Sequence, residues 1–245
     1  MRNLDDYQKQ YIKNNPFEPN MVRYRRQNII KFINKYNPKS ILEIGCANDP
    51  LFRYLKNFEK YIVVEPVKKF CDLAVEFSHE HTLNENIQII NNSFESQGEF
   101  LNDFDFIVCA GLLHEITNQR LFLENIFKLL EENTIVHLNV PNANSFHRLL
   151  GVKAGIIQNV NEKSDLQKRF QQNNIFSMEE LKGLVKSIGF KIIDNGFITF
   201  KPFTHAQMQA ILDEGILSIE LIDSLAEMIH ICPQNGAEIY LNLRR

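Results

Sequence analysis

The sequence predicts an α/β fold: a seven-stranded, mostly parallel sheet with helices on both faces and an antiparallel C-terminal strand. Between residues 40 and 140, short apolar runs alternate with longer amphipathic stretches, a pattern typical of parallel strands joined by right-handed helical crossovers. A last apolar run, AEIYLNL (237–243), returns after an interruption and therefore fits an added antiparallel strand.

The first elements follow from the spacing of the apolar residues. A helical lead-in is predicted over residues 1–37, because YRRQNIIKFINKY repeats apolar residues at helical spacing. Its basic cluster of Arg23, Arg25 and Arg26 is interpreted as a solvated helix face. Strands are expected at 40–44, 61–65, 87–91, 104–110 and 134–140, and helices at 50–58, 67–79 and 118–130.

The last hundred residues are less regular. The stretch 141–176 has no clear period and is longer than a typical connection, as active-site lids often are. Ser177 and Gly189 indicate the start and end of a helix over 177–190. A strand at 191–200 and helices at about 204–212 and 216–230 follow. We interpret residues 1–245 as one domain, in which segments 141–176 and 201–233 cover the substrate.

The composition is that of a soluble globular protein. Hydrophobic residues make up 44% and charged residues 23% of the chain, and no run approaches the ~20 apolar residues of a membrane span. The net charge of −3 provides no general attraction for nucleic acid. The four cysteines are scattered without a CxxC pair, which indicates reduced thiols, a cytoplasmic location and no zinc site.

The loop after the first predicted strand, in SILEIGCANDPLF (40–52), indicates the kind of ligand. Gly45 allows a tight turn and a close approach of the backbone to the ligand. Glu43 would repel a pyrophosphate but favours a cationic or hydroxyl-rich ligand. Glu65 ends the second strand, where an acid can accept hydrogen bonds from both ribose hydroxyl groups. The two acids therefore predict an adenosine with a positively charged amino-acid tail, as in S-adenosyl-L-methionine (SAM).

With these residues, the chain resembles the class I SAM-dependent methyltransferases over roughly residues 38–145. The resemblance is carried by ILEIGCANDP, VVEP, NNSFES and FDFIVCAGLLHEI, and it implies a Rossmann-like fold with SAM as methyl donor. In the family pattern E/D-x-G-x-G-x-G, this chain has Ala47 at the second glycine and Asp49 at the third. Ala is the mildest replacement, and Asp49-Pro50 offers a capping acid and a helix-starting proline. We therefore expect the altered loop to function.

The resemblance also implies which residues bind each part of SAM. The methionine portion is assigned to Glu43, Gly45, Cys46 and Ala47. The ribose is assigned to Glu65, and the adenine to Pro66, Ser93 and Phe94. Phe94 could equally be a core aromatic. The residues expected to flank the sulfonium are Ala110, Gly111 and Leu112.

Histidines that follow strands are the candidates for a catalytic base, because a hydroxyl acceptor must lose its proton. His114 follows the fourth strand and His147 the fifth, and either is predicted to be that base. Arg148 is expected to hold an anionic substrate group, although a solvated loop pair is the alternative for His147 and Arg148. His205 is a weaker candidate for substrate binding. His114 and Glu115 are not at a ligand spacing, so no metal is predicted.

The acceptor is predicted partly by exclusion. Methyltransferases that act on nucleobase amines often carry Asn/Asp-Pro-Pro-aromatic after the fourth strand, where this chain has CAGLLHE. The chain resembles bacterial methyltransferases of surface-polysaccharide and small-metabolite pathways in IGCANDPLF, VVEP, VPNANSFHRLLG and KPFTHAQM. This resemblance implies O-methylation of a sugar or sugar-linked group.

The alternatives are a catalytically degenerate SAM-binding protein and, less favoured, a nucleic-acid methyltransferase. A nicotinamide oxidoreductase fits the loop poorly, because it would need GxGxxG there. The sequence leaves open whether the chain forms a homodimer.

Overall fold

The computed structural model describes residues 4, 6, 8, 9, 16–97, 101–164, 167, 168 and 172–245. Within these residues, seven strands form one sheet in the order β3-β2-β1-β4-β5-β7-β6. The strands are β1 (Ser40–Ile44), β2 (Lys60–Val64), β3 (Ile87–Ile90), β4 (Phe106–Ala110), β5 (Ile135–Pro141), β6 (Lys191–Ile198) and β7 (Glu238–Arg244).

The pairing of the strands confirms the predicted Rossmann-like sheet. The first five strands pair in parallel, and β7 lies antiparallel between β5 and β6. Glu238 at the start of β7 pairs with Pro141 at the end of β5 and with Ile198 at the end of β6. These three strands therefore bring loop residues to the edge at which the parallel strands end.

Helices cover both faces of the sheet. They are α1 (Glu18–Tyr36), α2 (Lys68–His79), α3 (Phe94–Gln97), α4 (Gln119–Lys128), α5 (Phe146–Lys153), α6 (Met178–Ile188), α7 (His205–Asp213) and α8 (Ile219–Glu227). The predicted ends of α6 are confirmed, since Ser177 forms a capping box with Glu180 and Gly189 is left-handed. Of the predicted lead-in, residues 1–3, 5, 7 and 10–15 lie outside the described residues.

The predicted helix over 50–58 was wrong. The chain forms a short 3-10 turn, Leu51–Tyr54, and Leu55 is already extended. Asp49 does not cap this turn, because its carboxylate binds Arg53 and Tyr54 instead. The apolar residues that suggested a longer helix are buried, but the segment that carries them is irregular.

The stretch 141–176, which showed no clear pattern, contains α5. This helix has no buried residue, so its sequence carries no strong apolar period.

Two hydrophobic clusters fill the two faces of the sheet. Alternate residues of β1 point to opposite faces: Leu42 and Ile44 belong to one cluster and Ile41 to the other. The second cluster includes the apolar side of α1, with Phe32 and Ile33. α1 is thus packed on the sheet face towards which Glu43 also points.

Candidate functional site

A cleft of about 1470 Å³ lies at the carboxyl edge of the parallel strands and includes the point between β1 and β4 where the strand order reverses. All the residues predicted for the site line this cleft. They are Glu43, Gly45, Cys46, Ala47, Glu65, Pro66, Ser93, Phe94, Ala110, Gly111, Leu112, His114, His147, Arg148 and His205. Their roles towards a ligand stay predictions, but the structure brings them together.

Glu43 has a buried carboxylate that closes the first loop. Both of its oxygens lie 3.1 Å from the backbone nitrogen of Leu51, which donates to them, and Oε2 also accepts a 2.8 Å hydrogen bond from the hydroxyl of Tyr61. Burial raises the pKa of Glu43 to about 8, although these hydrogen bonds oppose the shift. Glu43 therefore joins the end of the loop to the sheet at the wall of the cleft.

The loop after β1 keeps the backbone conformation of a glycine-rich loop. Gly45 has a φ of 76° and Ala47 a φ of 49°, both in the left-handed region. A Cβ at Gly45 would also lie 3.4 Å from Cδ2 of Leu112. Ala47 thus adopts a conformation that favours glycine, at a cost on the order of 1–2 kcal/mol. The second position of the pattern is therefore left-handed here even though it carries a Cβ.

Glu65 follows β2 and is buried beside the first loop. Its Oε2 accepts hydrogen bonds from the backbone nitrogens of Cys46 (3.1 Å) and Ala47 (3.2 Å), and its Oε1 accepts one from Val67 (2.8 Å). The carboxylate therefore connects the loop after β1 to the loop after β2. These are the two loops expected to hold the methionine and ribose portions of SAM.

Phe94 is a buried core aromatic that also lies at the cleft wall, and its contact with adenine stays a prediction. Its ring is buried and packs edge-on against Phe122, with ring centroids 5.3 Å apart, and it also lines the cleft. Ser93 lies beside it, with Oγ 2.9 Å from Oγ of Ser96. Across the cleft edge, the carbonyl of Pro66 accepts a hydrogen bond from the side chain of Asn91.

The end of β4 forms the middle of the cleft. Gly111 has a φ of 63°, and its backbone nitrogen donates to both oxygens of Asn139, the backbone one at 3.0 Å and the side-chain one at 3.1 Å. A Cβ at Gly111 would lie 3.4 Å from the guanidinium carbon of Arg25. Arg25 of α1 therefore lies next to Gly111, one of the residues expected to flank the sulfonium.

His114 lies in a short 3-10 turn after β4 and is buried in the cleft wall. Its Nε2 is 3.9 Å from Oε1 of Glu115. Its carbonyl accepts hydrogen bonds from the backbone nitrogens of Asn173 (2.9 Å) and Asn174 (3.0 Å). The end of the irregular 141–176 stretch is thereby fastened to this turn at the mouth of the cleft.

The interpretation of Arg23, Arg25 and Arg26 as a solvated helix face was wrong. α1 lies across the carboxyl edge, so this part of the helix meets acidic side chains of other elements. Each arginine pairs with an acid of another element: Arg23 with Asp223, Arg25 with Glu238 (3.0 and 2.5 Å), and Arg26 with Asp49. Arg25 also pairs with Glu18 of its own helix (3.6 Å). α1 thus connects the first loop to the C-terminal part of the chain.

Sequence reasoning missed Lys201, Glu238 and Glu18, which line the cleft near Arg25. Lys201 is 3% exposed, and its Nζ donates a 3.0 Å hydrogen bond to the carbonyl of Phe203. Burial lowers the pKa of Lys201 to about 7, although Glu18 and Glu238 oppose the shift. One signal was present: a lysine and a glutamate flank otherwise apolar strands at the edge where ligands collect.

His147 and His205 are half-buried beside Lys201. Burial, with Lys201 adding to it, lowers the pKa of His147 well below its ordinary value and that of His205 to about 3. In the part of the chain that the structure describes, Nδ1 of each ring is buried without a hydrogen-bond partner. Nδ1 of His205 is 3.8 Å from Oε2 of Glu18. Both imidazoles are therefore neutral near pH 7.

Arg148 holds the chain that follows α5. Its guanidinium donates to the carbonyls of Val160 (2.8 Å) and Glu162 (2.5 Å) and to Oε1 of Gln167 (3.1 Å). These contacts hold residues 160–164 and Gln167 beside the cleft. The predicted role of Arg148 in binding an anionic substrate group stays a prediction.

Two further properties concern metals and membranes. Over residues 16–97, 101–164 and 172–245 and the few others described, no group of three or more His, Cys, Asp or Glu side chains is placed to hold a metal ion. Within the same residues, no helix is long and apolar enough to cross a membrane.

The first two loops of the cleft fit a cationic nucleoside. Two carboxylates, Glu43 and Glu65, hold these loops, and Gly45 leaves open the space that a Cβ would fill. A pyrophosphate at the same loop would find the amides of Cys46 and Ala47 already donating to Glu65. This cleft, in a sheet whose C-terminal strand is inserted antiparallel, defines the class I methyltransferase fold.

Comparison with known proteins gives the family. A family model described as a methyltransferase domain (Methyltransf_23) matches residues 21–195. The chain belongs to this family and is a SAM-dependent methyltransferase, with SAM as its methyl donor. The predictions of class and cofactor are confirmed.

Individual relatives are distant. The plantazolicin methyltransferase BamL, solved with a desmethyl analogue and SAH, has a TM-score of 0.59 and 15% identity over 93% of this chain and 86% of its own. The N-methyltransferase NodS of Bradyrhizobium japonicum WM9 has a TM-score of 0.58 and 13% identity over 96% and 99%. A small RNA 2′-O-methyltransferase of Xenopus tropicalis is 24% identical over 140 residues, 52% of this chain but only 38% of that protein.

Proposed function

We propose that this methyltransferase methylates a hydroxyl group of a small acceptor, a sugar or sugar-linked group of bacterial surface glycan biosynthesis. One observation carries the proposal: a single cleft has acid-held loops at β1 and β2 and polar side chains after β5 and β6. A polyhydroxylated acceptor needs several hydrogen-bond partners, which His147, Lys201 and His205 offer.

We assign the β1, β2 and β3 side of the cleft to the cofactor. When bound, SAM supplies a methyl group already activated by its sulfonium. In this assignment, the residues that contact it are Glu43, Gly45, Cys46, Ala47, Glu65, Pro66, Ser93, Phe94, Ala110, Gly111 and Leu112. Their work is to orient the two reactants and exclude water.

We assign the remaining side to the acceptor. Within a single domain of residues 1–245, the segments 141–176 and 201–233 cover the substrate, and His114 or His147 removes the acceptor proton. Support for the first segment comes from the hydrogen bond of Asn173 to His114, which holds its end at the cleft wall. The second segment contributes Lys201 and His205 to the lining of the cleft. Arg148 and His205 are proposed to contact the acceptor.

The proposal is tested first by binding. Calorimetry should detect both SAM and its demethylated product, SAH. Glu65→Gln is expected to weaken SAH binding about 10-fold, because the ribose loses a charged acceptor. Glu76→Gln, an exposed acid of α2, is the matched control and should change nothing. Absence of binding to either compound would contradict the enzyme assignment.

Acceptor identity is tested by mass spectrometry of a panel of nucleotide sugars and free sugars incubated with SAM and the full chain. A gain of one methyl group on a hydroxyl is expected. Binding of SAM without transfer to any member of the panel would favour the degenerate SAM-binding alternative.

RNA is the second candidate acceptor, because the Xenopus tropicalis relative is a small RNA 2′-O-methyltransferase. The ion pairs of Arg23 and Arg26 speak against it, since both side chains already contact carboxylates rather than facing outward for phosphates. A short RNA belongs in the same panel. A methylated RNA without methylated sugars would replace the glycan proposal.

A cytoplasmic location is part of the proposal. Cys46, Cys71 and Cys109 are buried free thiols, and Cys232 is an exposed one. Free thiols fit a reducing compartment. Cell fractionation tests the location.

A further inference from the structure

We propose that Lys201 is the residue that accepts the proton of the acceptor's hydroxyl group during methyl transfer. The inference rests on the proposed function. It assigns the removal of the acceptor proton to Lys201 instead of His114 or His147, and it leaves the assignment of the cofactor loops unchanged.

The position of Lys201 places an amine in the acceptor side of the cleft. It follows the carboxyl end of β6, in the same row as the end of β5 and the start of β7. Its side chain is almost completely buried yet lines the cleft. An amine of this kind is shielded from bulk water but can reach a bound acceptor.

The hydrogen bonding of Nζ leaves the amine of Lys201 able to accept a proton. Its partner in the described residues is the carbonyl of Phe203, although a lysine ammonium has three protons to donate. Among the described residues, no carboxylate forms an ion pair with it, and Glu238 is instead bound by Arg25 and Asn139. A buried ammonium without an ion pair is costly, so the neutral amine is favoured.

Titratable groups from four elements surround Lys201. Glu18 of α1 and Glu238 of β7 are acids that act on it, whereas His147 of α5 and His205 of α7 are neutral near pH 7. Arg25 of α1 lines the same cleft. Burial outweighs the two acids and brings the pKa of Lys201 to about 7. A base works best when its pKa lies near the working pH. The imidazoles of His147 and His205 have pKa values far below it.

The step balances. A lone pair of the acceptor oxygen forms the new carbon–oxygen bond as the carbon–sulfur bond of the methyl donor breaks, and that bond's electron pair stays on sulfur. The hydroxyl proton passes to the neutral Nζ of Lys201, which becomes an ammonium. The ammonium then returns the proton to water.

Nuclear magnetic resonance tests the inference without any acceptor. In full-length protein labelled with ¹³C at lysine Cε, the Lys201 signal is assigned by its loss in Lys201→Arg. A titration midpoint near pH 7 is expected, and exposed Lys153 serves as the internal control. A midpoint for Lys201 near the ordinary lysine value of about 10.4 would overturn the inference.

Two variants separate proton acceptance from attraction of an anionic acceptor. Lys201→Met and Lys201→Arg should both lower kcat about 100-fold or more on the best sugar acceptor of the panel, with SAH affinity unchanged. Arginine keeps the charge but cannot lose its proton, so retained activity in Lys201→Arg would show an anion anchor instead. If the wild type binds SAM but methylates nothing, the proposed function fails; if only the variants behave wrongly, this inference fails alone.

Discussion

Glu43 and Leu51 are joined by a carboxylate whose two oxygens both lie 3.1 Å from the same backbone nitrogen. The acid on the strand thereby satisfies the first amide of the 3-10 turn, a task that Asp49 does not perform. At the other end of the loop, Glu65 accepts the amides of Cys46 and Ala47. Two buried carboxylates therefore hold a loop that retains one glycine of its family pattern.

The pH dependence of stability should report the burial of Glu43. Its pKa is about 8 in the folded chain and about 4.3 when unfolded. Between these values the folded state keeps a proton that the unfolded state has lost, so stability falls as pH rises. Glu43→Gln keeps an acceptor oxygen without the charge.

We expect Glu43→Gln to be more stable than wild type by on the order of 1–3 kcal/mol at pH 9, with the difference shrinking as pH falls and vanishing below about pH 4. Urea denaturation of the SAM-free protein at several pH values measures it. Glu76→Gln is the control. A difference independent of pH would show that Glu43 is already ionised in the folded chain.

How far the sequence leads can be judged from particular residues. β1 was predicted to the residue, because an apolar run on a doubly covered strand has no competing pattern. Glu43 and Glu65 were recognised because acids near the carboxyl ends of the first two strands suit a ribose and a cationic group, and the family motifs agree. Lys201 and Glu238 were missed, because only the antiparallel insertion of β7 brings them together. A helix was wrongly predicted over 50–58, because the local spacing of apolar residues does not show that Glu43 binds the backbone of Leu51 and ends the loop there.

Ala47 offers a test of backbone strain in the cofactor loop. Ala47→Gly removes a left-handed alanine, a relief of about 1–2 kcal/mol, and costs about 0.4–1 kcal/mol in chain entropy. We expect a small net gain in thermal stability and SAH affinity at least equal to wild type. Ala210→Gly, at an exposed position of α7, is the matched control and should destabilise by about 1 kcal/mol. Equal losses in both variants would contradict strain at Ala47.

The ion pair of Arg26 with Asp49 should support cofactor binding from α1. Its guanidinium also lies 3.6 Å from the ring centroid of Tyr54. Arg26→Met is expected to weaken SAH binding several-fold in calorimetry, because the loop after β1 loses its outer support. Lys31→Met, on an exposed position of the same helix, should bind SAH like wild type. Unchanged binding in Arg26→Met would mean that the two glutamates fix the loop alone.

Arg148 allows its two assigned roles to be separated. Because its guanidinium is bound to the carbonyls of Val160 and Glu162, Arg148→Met should release that segment and speed tryptic cleavage after Lys163 several-fold. Lys186→Met, an exposed change in α6, should leave the cleavage rate unchanged. A raised KM for the sugar acceptor with wild-type proteolysis would instead support direct contact with the substrate. Faster cleavage together with a raised KM would show that Arg148 acts on the acceptor through the segment that it holds.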